Sequence, residues 1–170
     1  MKVYAIDPGN TRSALCVIDA DTLRPLDAVI LENELLLQRI GETKLEEEDG
    51  VAIEMLQSYG NLIGRDVLET AVWIGRFYEA FRRKMPVTGA LPALVFRMEE
   101  KMHICGDPKA GDANIRRALI DRFCDHDFRT GRGTVKNPDW FSGFAKDMWA
   151  AYAVGLTYIE TELCRKEALT

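Results

Sequence analysis

The opening stretch, MKVYAIDPGNTRSAL over residues 1–15, constrains this chain more than any other. Val3, Tyr4, Ala5 and Ile6 form a short β-prone apolar run. Pro8, Gly9 and Asn10 stop that run and turn the chain back. Thr11 to Ile18 then resumes an apolar run, so the two pair as a hairpin with Asp7 at its mouth. A carboxylate there has a rigid base, an open front and no basic neighbour after it before Arg12. Alone, Asp7 reads as a turn residue that caps the hairpin. Carboxylates placed at the ends of other elements make it a candidate ligand.

Arg12 to Asp19 and Leu26 to Leu31 read as strands two and three, and Glu32 to Ile40 as a short amphipathic helix. The acidic run Glu46, Glu47, Glu48 and Asp49 reads as a solvated loop. Val51 to Met55 reads as a buried central strand. Glu54 stands inside it, and a buried carboxylate needs a cation or several donors, which makes Glu54 the second candidate ligand. The spacing predicts a helix over Asp66 to Lys84. Its apolar arc, widened by Trp73 and Phe77, exceeds one packed face; a second subunit and deep burial both account for that.

Pro86 to Pro92 reads as a linker within the domain. Ala93 to Phe96 and Met102 to Cys105 read as one interrupted strand or two short ones. Gly106 to Gly111 is a turn, with Asp112 as N-cap of a helix over Ala113 to Phe123. Cys124 to Gly143 is irregular and carries Arg129, Arg132 and Lys136 around Gly131 and Gly133. A glycine-softened basic loop suits contact with a nucleic-acid backbone, and also suits plain solvated surface. The last helix is predicted from about Phe144 to Arg165, with Asp147 in its first turn. Ala150, Ala151, Ala153 and Gly155 let that helix lie close against a sheet, and the same face carries Asp147 towards Asp7 and Glu54.

Composition removes several function classes. At 170 residues the chain is expected to be one domain spanning 1–170. No apolar run approaches the roughly 20 residues that span a bilayer, and no signal-peptide pattern opens the chain, so a cytoplasmic location is expected. Four cysteines without a C-x-x-C pair suggest neither a disulfide framework nor a zinc site. His103 and His126 are the only imidazoles, which leaves little for Ser/His or Cys/His catalysis. The net charge of −5 opposes nucleic-acid binding unless positive charge gathers on one face.

Strand-end Asp, hairpin, third strand, central-strand Glu, helix, strand, helix, then Asp opening a final helix is an order that resembles the RNase H-like superfamily. Within it the chain resembles the RuvC-type Holliday-junction resolvases, and most of all the RuvC-like proteins of phages and mobile elements of Gram-positive bacteria. The residues that carry this are AIDPGNTRSAL around Asp7, VAIEM around Glu54, GDPKAGDANIRRAL before the middle helix, and KDMWAAYAVGLTY at the end. The resemblance implies an α/β fold: a central mixed five-stranded sheet, its first three strands antiparallel, flanked by helices. It implies a homodimer on branched DNA, with Lys109 and Arg116 near substrate phosphates.

Hard oxygen ligands suit Mg²⁺ or Mn²⁺. Two such ions roughly 4 Å apart would serve phosphodiester cleavage, with Asp7 bridging, Glu54 on one ion and Asp147 on the other. Two departures stand out. Ala150 occupies the position of the family's last acid, and Gln57 that of its base-wedging aromatic, for which Tyr59 is the nearest substitute. The first departure favours a competing reading as a catalytically weak, structured-DNA-binding module. A third reading takes Asp7, Gly9 and Thr11 as the phosphate loop of an actin- or hexokinase-like protein, but those need two lobes and a second aspartate loop.

Overall fold

The computed structural model describes residues 1–57, 60, 64–85 and 91–163. Strands β1 (Lys2–Asp7), β2 (Arg12–Asp19) and β3 (Pro25–Glu32) are followed by helix α1 (Asn33–Glu42) and strand β4 (Gly50–Met55). Then come α2 (Arg65–Arg82), β5 (Ala93–Phe96), α3 (Arg97–Cys105), α4 (Asp112–Phe123) and α5 (Met148–Tyr158), which runs into a π-helical turn at Ile159–Leu163. The strands form a five-stranded sheet in the order β3-β2-β1-β4-β5. β1, β2 and β3 pair antiparallel, while β4 runs parallel to both β1 and β5.

Both faces of this sheet are covered, which explains why its central strands are nearly continuous apolar runs rather than alternating ones. Alternate residues of β1 serve opposite faces. Tyr4 and Ile6, with Leu15, Val17, Val51 and Ile53, pack against Leu36 and Ile40 of α1 and against Ile74, Phe77 and Phe81 of α2. Val3 and Ala5, with Ala14, Cys16, Ile18 and Ala52, pack against α4, α5 and the aromatic cluster of Phe141, Phe144, Trp149 and Tyr152. The small residues of α5 let it lie flat: a Cβ added at Gly155 would stand 2.5 Å from Ile18 Cδ1 and 2.8 Å from Ala5 Cβ.

Three sequence expectations change. Met102–Cys105 is not a strand but the second half of α3. The helix starts directly after β5 because the Glu99 carboxylate accepts from the Phe96 N–H at 2.7 Å, and Gly106 closes it in the left-handed region at φ 66°. The last helix begins at Met148, not Phe144, and leaves Asp147 at its N-cap with no side-chain capping bond. Gly111 rather than Asp112 caps α4. The broad arc of α2 is partly explained by burial, since Phe77 is fully covered within the chain. Trp73 packs on Phe77 and carries the Arg76 guanidinium 4.1 Å above its ring.

The stretch between α4 and α5 is built around two carboxylates. Asp139, whose side chain is fully covered, accepts from the backbone N–H groups of Asp125, His126, Asp127 and Trp140. Asp127 accepts from the N–H groups of Arg129, Thr130 and Gly133. Burial alone would raise the Asp139 carboxyl, but its four N–H donors outweigh that and hold it well below the usual carboxylate range. A carboxyl held low in the folded state stabilises fully above its unfolded value near 4 and loses that contribution only in strong acid. Asp139→Ala is therefore expected to lower the melting midpoint by about 5–10 °C at neutral pH, with the loss fading below about pH 3, as thermal scans across pH would read.

Candidate functional site

Parallel strands that share a register place equivalent residues side by side. Ile6 lies opposite Ile53 in the β1–β4 ladder, so the next residues along, Asp7 and Glu54, come out together at the carboxyl ends of the two strands. The alternation that turns Ala5 and Ala52 towards α5 turns these two carboxylates the same way. Ligands of open α/β sheets gather at such carboxyl ends. Both residues are half-buried, whereas Asp147, on the α5 N-cap, is exposed.

The two carboxyl groups stand close enough to interact, and their proximity favours a proton on Asp7. Burial first, then the close charge of Glu54, then the charge of Asp147, push Asp7 far above the usual carboxylate range; Arg97 opposes the rise. Two carboxyls in contact cannot both ionise without a cation, so they either share a proton or take one up. The structure thus brings Asp7, Glu54 and Asp147 into one electrostatic neighbourhood, although more than 40 residues separate each from the next.

Sequence reasoning missed two members of this neighbourhood. Arg97 opens α3 at the end of β5, and its Nε lies 3.9 Å from Glu54 Oε1. Its Nη1 donates to Glu100 Oε2 at 2.6 Å, and its Nη2 pairs with Asp112. Glu100 is fully buried, and among the described residues its Oε1 has no hydrogen-bond partner. Burial and the nearby Glu54 raise the Glu100 carboxyl, against the pull of Arg97. In RMEEK both residues look like ordinary helix surface, and no sequence signal separates them from it.

Beside Asp147 lies a pocket of about 620 Å³ lined by Arg116, Arg117, Arg129, Lys146, Asp112 and Trp149, among others. Arg116 stacks 4.7 Å over the Trp149 ring. Lys146, also missed from sequence, holds a positive φ of 44°, a strained backbone of the kind that persists where the surroundings fix it. Of the basic residues singled out in the sequence, Arg116 and Arg129 line this pocket. Lys109, Arg132 and Lys136 are exposed on the turn after α3 and on the loop before α5, outside the lining of that pocket. Tyr59 lies outside the described residues.

Among the described residues, no three His, Cys, Asp or Glu side chains are arranged to hold a metal ion. The donor set nevertheless fits one hard cation. Mg²⁺ is usually bound by one or two carboxylates, and keeps waters or substrate phosphate for its remaining positions. Asp7 and Glu54 offer that pair of oxygen donors.

A mixed sheet of this order, with helices on both faces, is an RNase H-like fold of the RuvC type. Solved structures say the same. The chain superposes on "T. thermophilus RuvC in complex with Holliday junction substrate" with a TM-score of 0.59 at 18% identity, over 93% of this chain and 92% of that one. The "Thermus thermophilus RuvC structure" gives a TM-score of 0.56 at 18% identity, over 96% and 97%. No protein-family model and no curated protein matches the sequence. No helix among the described residues is long and apolar enough to cross a membrane.

Proposed function

We propose that this chain is a divalent-metal-dependent endonuclease that cuts phosphodiester bonds in branched DNA, in the manner of a Holliday-junction resolvase. It would work as one RNase H-like domain over residues 1–170, in the cytoplasm. The observation that carries this reading is the Asp7–Glu54 carboxyl pair at the strand ends, next to a basic pocket rimmed by Asp147. The junction bound in the structure of the T. thermophilus protein supports branched DNA as the substrate.

Asp7 and Glu54 would hold Mg²⁺ or Mn²⁺, with Asp147 the next carboxylate in reach. Such an ion, when bound, activates water and stabilises charge on the leaving oxygen. Arg116, Arg129 and Lys146 would seat the phosphates that flank the cut, and this local positive charge answers the acidic net charge of the chain. Lys109, Arg132, Lys136 and Tyr59 are assigned to more distant DNA contacts. Dimerisation would give the two symmetric cuts that a junction needs. Val67, Leu68 and Val72, exposed along α2, are the surface for it.

A catalytically weak DNA-binding module is the second reading. It is favoured by Ala150, which stands where the family's last acid belongs. Single-turnover assays on a four-way junction separate the two. Cleavage is expected to be clearly faster in Mn²⁺ than in Mg²⁺ and absent in EDTA, because Mn²⁺ binds oxygen sites more tightly and tolerates a poorer shell. Binding without cleavage of any branched, flapped or duplex DNA in either metal would establish the module instead.

A further inference from the structure

We infer that Arg97 is the resident second cation of this site, so that the chain takes one divalent ion and not two. This deepens the metal-dependent reading above and rests on it.

Three observations carry the inference. First, the Arg97 guanidinium already stands on the Glu54 side of the carboxyl pair, 3.9 Å from Glu54 Oε1, with its side chain 21% exposed. Arginine stays protonated throughout the range in which proteins fold, so this charge is permanent. Second, Arg97 is anchored from behind. Glu100 receives its Nη1 at 2.6 Å in a fully covered position, and among the described residues its Oε1 has no hydrogen-bond partner. Moving the guanidinium away would leave the buried Glu100 carboxyl without its donor, which costs more than rotating a surface arginine. Third, the helix that carries Asp147 offers no further acid one turn on, since Ala150 stands there.

A second divalent ion would therefore meet a fixed positive charge on one side and a missing ligand on the other. Nη1 and Nη2 each give one N–H, to Glu100 and to Asp112, and the remaining N–H groups of the planar guanidinium can be offered to a phosphate oxygen. Arg97 would thus supply charge and hydrogen bonds where a two-metal site places an ion. Glu100 acts through Arg97, as its positioning residue.

The test counts ions without asking for cleavage. Mn²⁺ is titrated into the full chain without DNA, followed by calorimetry and by electron paramagnetic resonance, which distinguishes an isolated Mn²⁺ from a coupled pair. The natural sequence is expected to bind one Mn²⁺ per chain, with no coupled-pair signal. The double substitution Arg97→Met with Glu100→Met removes both charges together, because a buried pair replaced whole by apolar side chains is often tolerated where a single removal is not. Combined with Ala150→Asp, which restores a carboxylate one turn after Asp147, it is expected to bind two Mn²⁺ per chain with a coupled signal. Should that variant fail to fold by circular dichroism, Arg97→Gln with Glu100→Gln takes the place of the Met pair beside Ala150→Asp, with the same expected count. Two ions in the natural sequence would overturn the inference and leave the metal-dependent reading standing, as would one ion persisting in the folded triple variant. No ion in any chain would remove both.

Discussion

Asp7→Asn is expected to lower single-turnover cleavage by at least about 10³-fold, equivalent to about 4 kcal/mol of lost transition-state stabilisation. The amide matches the carboxylate in size but cannot ligate a hard cation as an anion. The expectation has a second half that separates this role from a structural one. Asp7 is half-buried, crowded against Glu54 and near Asp147, so burial first and then its like-charge neighbours disfavour its carboxylate in the folded state. Removing one carboxyl relieves that, and the melting midpoint of Asp7→Asn should be unchanged or higher. This is the usual relation of a functional site to stability. Loss of cleavage together with a large fall in melting temperature would instead make Asp7 a packing residue, and undisturbed cleavage would remove it from the chemistry.

Gly155→Leu is expected to have the largest effect on folding, on the order of 4 kcal/mol or more, which in a chain of this size shifts the melting midpoint by about 10 °C. The β-carbon alone would come within 2.5 Å of Ile18 Cδ1 and 2.8 Å of Ala5 Cβ, both in the middle of the sheet. Neither strand can yield, because β1 and β2 are packed on their other face by α1 and α2. The helix would have to lift, and with it the Asp147 end that faces Asp7. Calorimetric unfolding reads the loss directly. A variant that melts within 2–3 °C of the natural sequence, roughly 1 kcal/mol, would show that α5 has room that the contact distances deny.

The elements that position the site were largely legible in the sequence. Short apolar runs cut by Asp7 and by Glu54 marked two buried strands whose ends carry acids, and the apolar residues at helical spacing marked α2. The stripe Ala150, Ala151, Ala153 and Gly155 announced a helix lying flat on a sheet, and α5 does so. Met102–Cys105 reads as strand because three apolar residues around His103 are too few to carry a periodicity of their own. Capping at Glu99 and the left-handed Gly106 settle it as helix, and both act through local backbone geometry.

What the sequence determined by itself, then, was the local character of each element: which runs are buried, where they stop, and which carboxylates stand at their ends. Only the tertiary structure decided which of those carboxylates meet, and what else meets them. The Asp7–Glu54 contact follows from the parallel register of β1 on β4, in which Ile6 faces Ile53. That register is a property of two strands more than 40 residues apart and leaves no trace in either one. Glu100 is buried only because α3 packs onto α4 and α5. Its burial anchors Arg97 beside Glu54, and so sets a fixed positive charge at the site. A charged residue in a short helix reads as surface until a neighbour from elsewhere in the chain takes the solvent away.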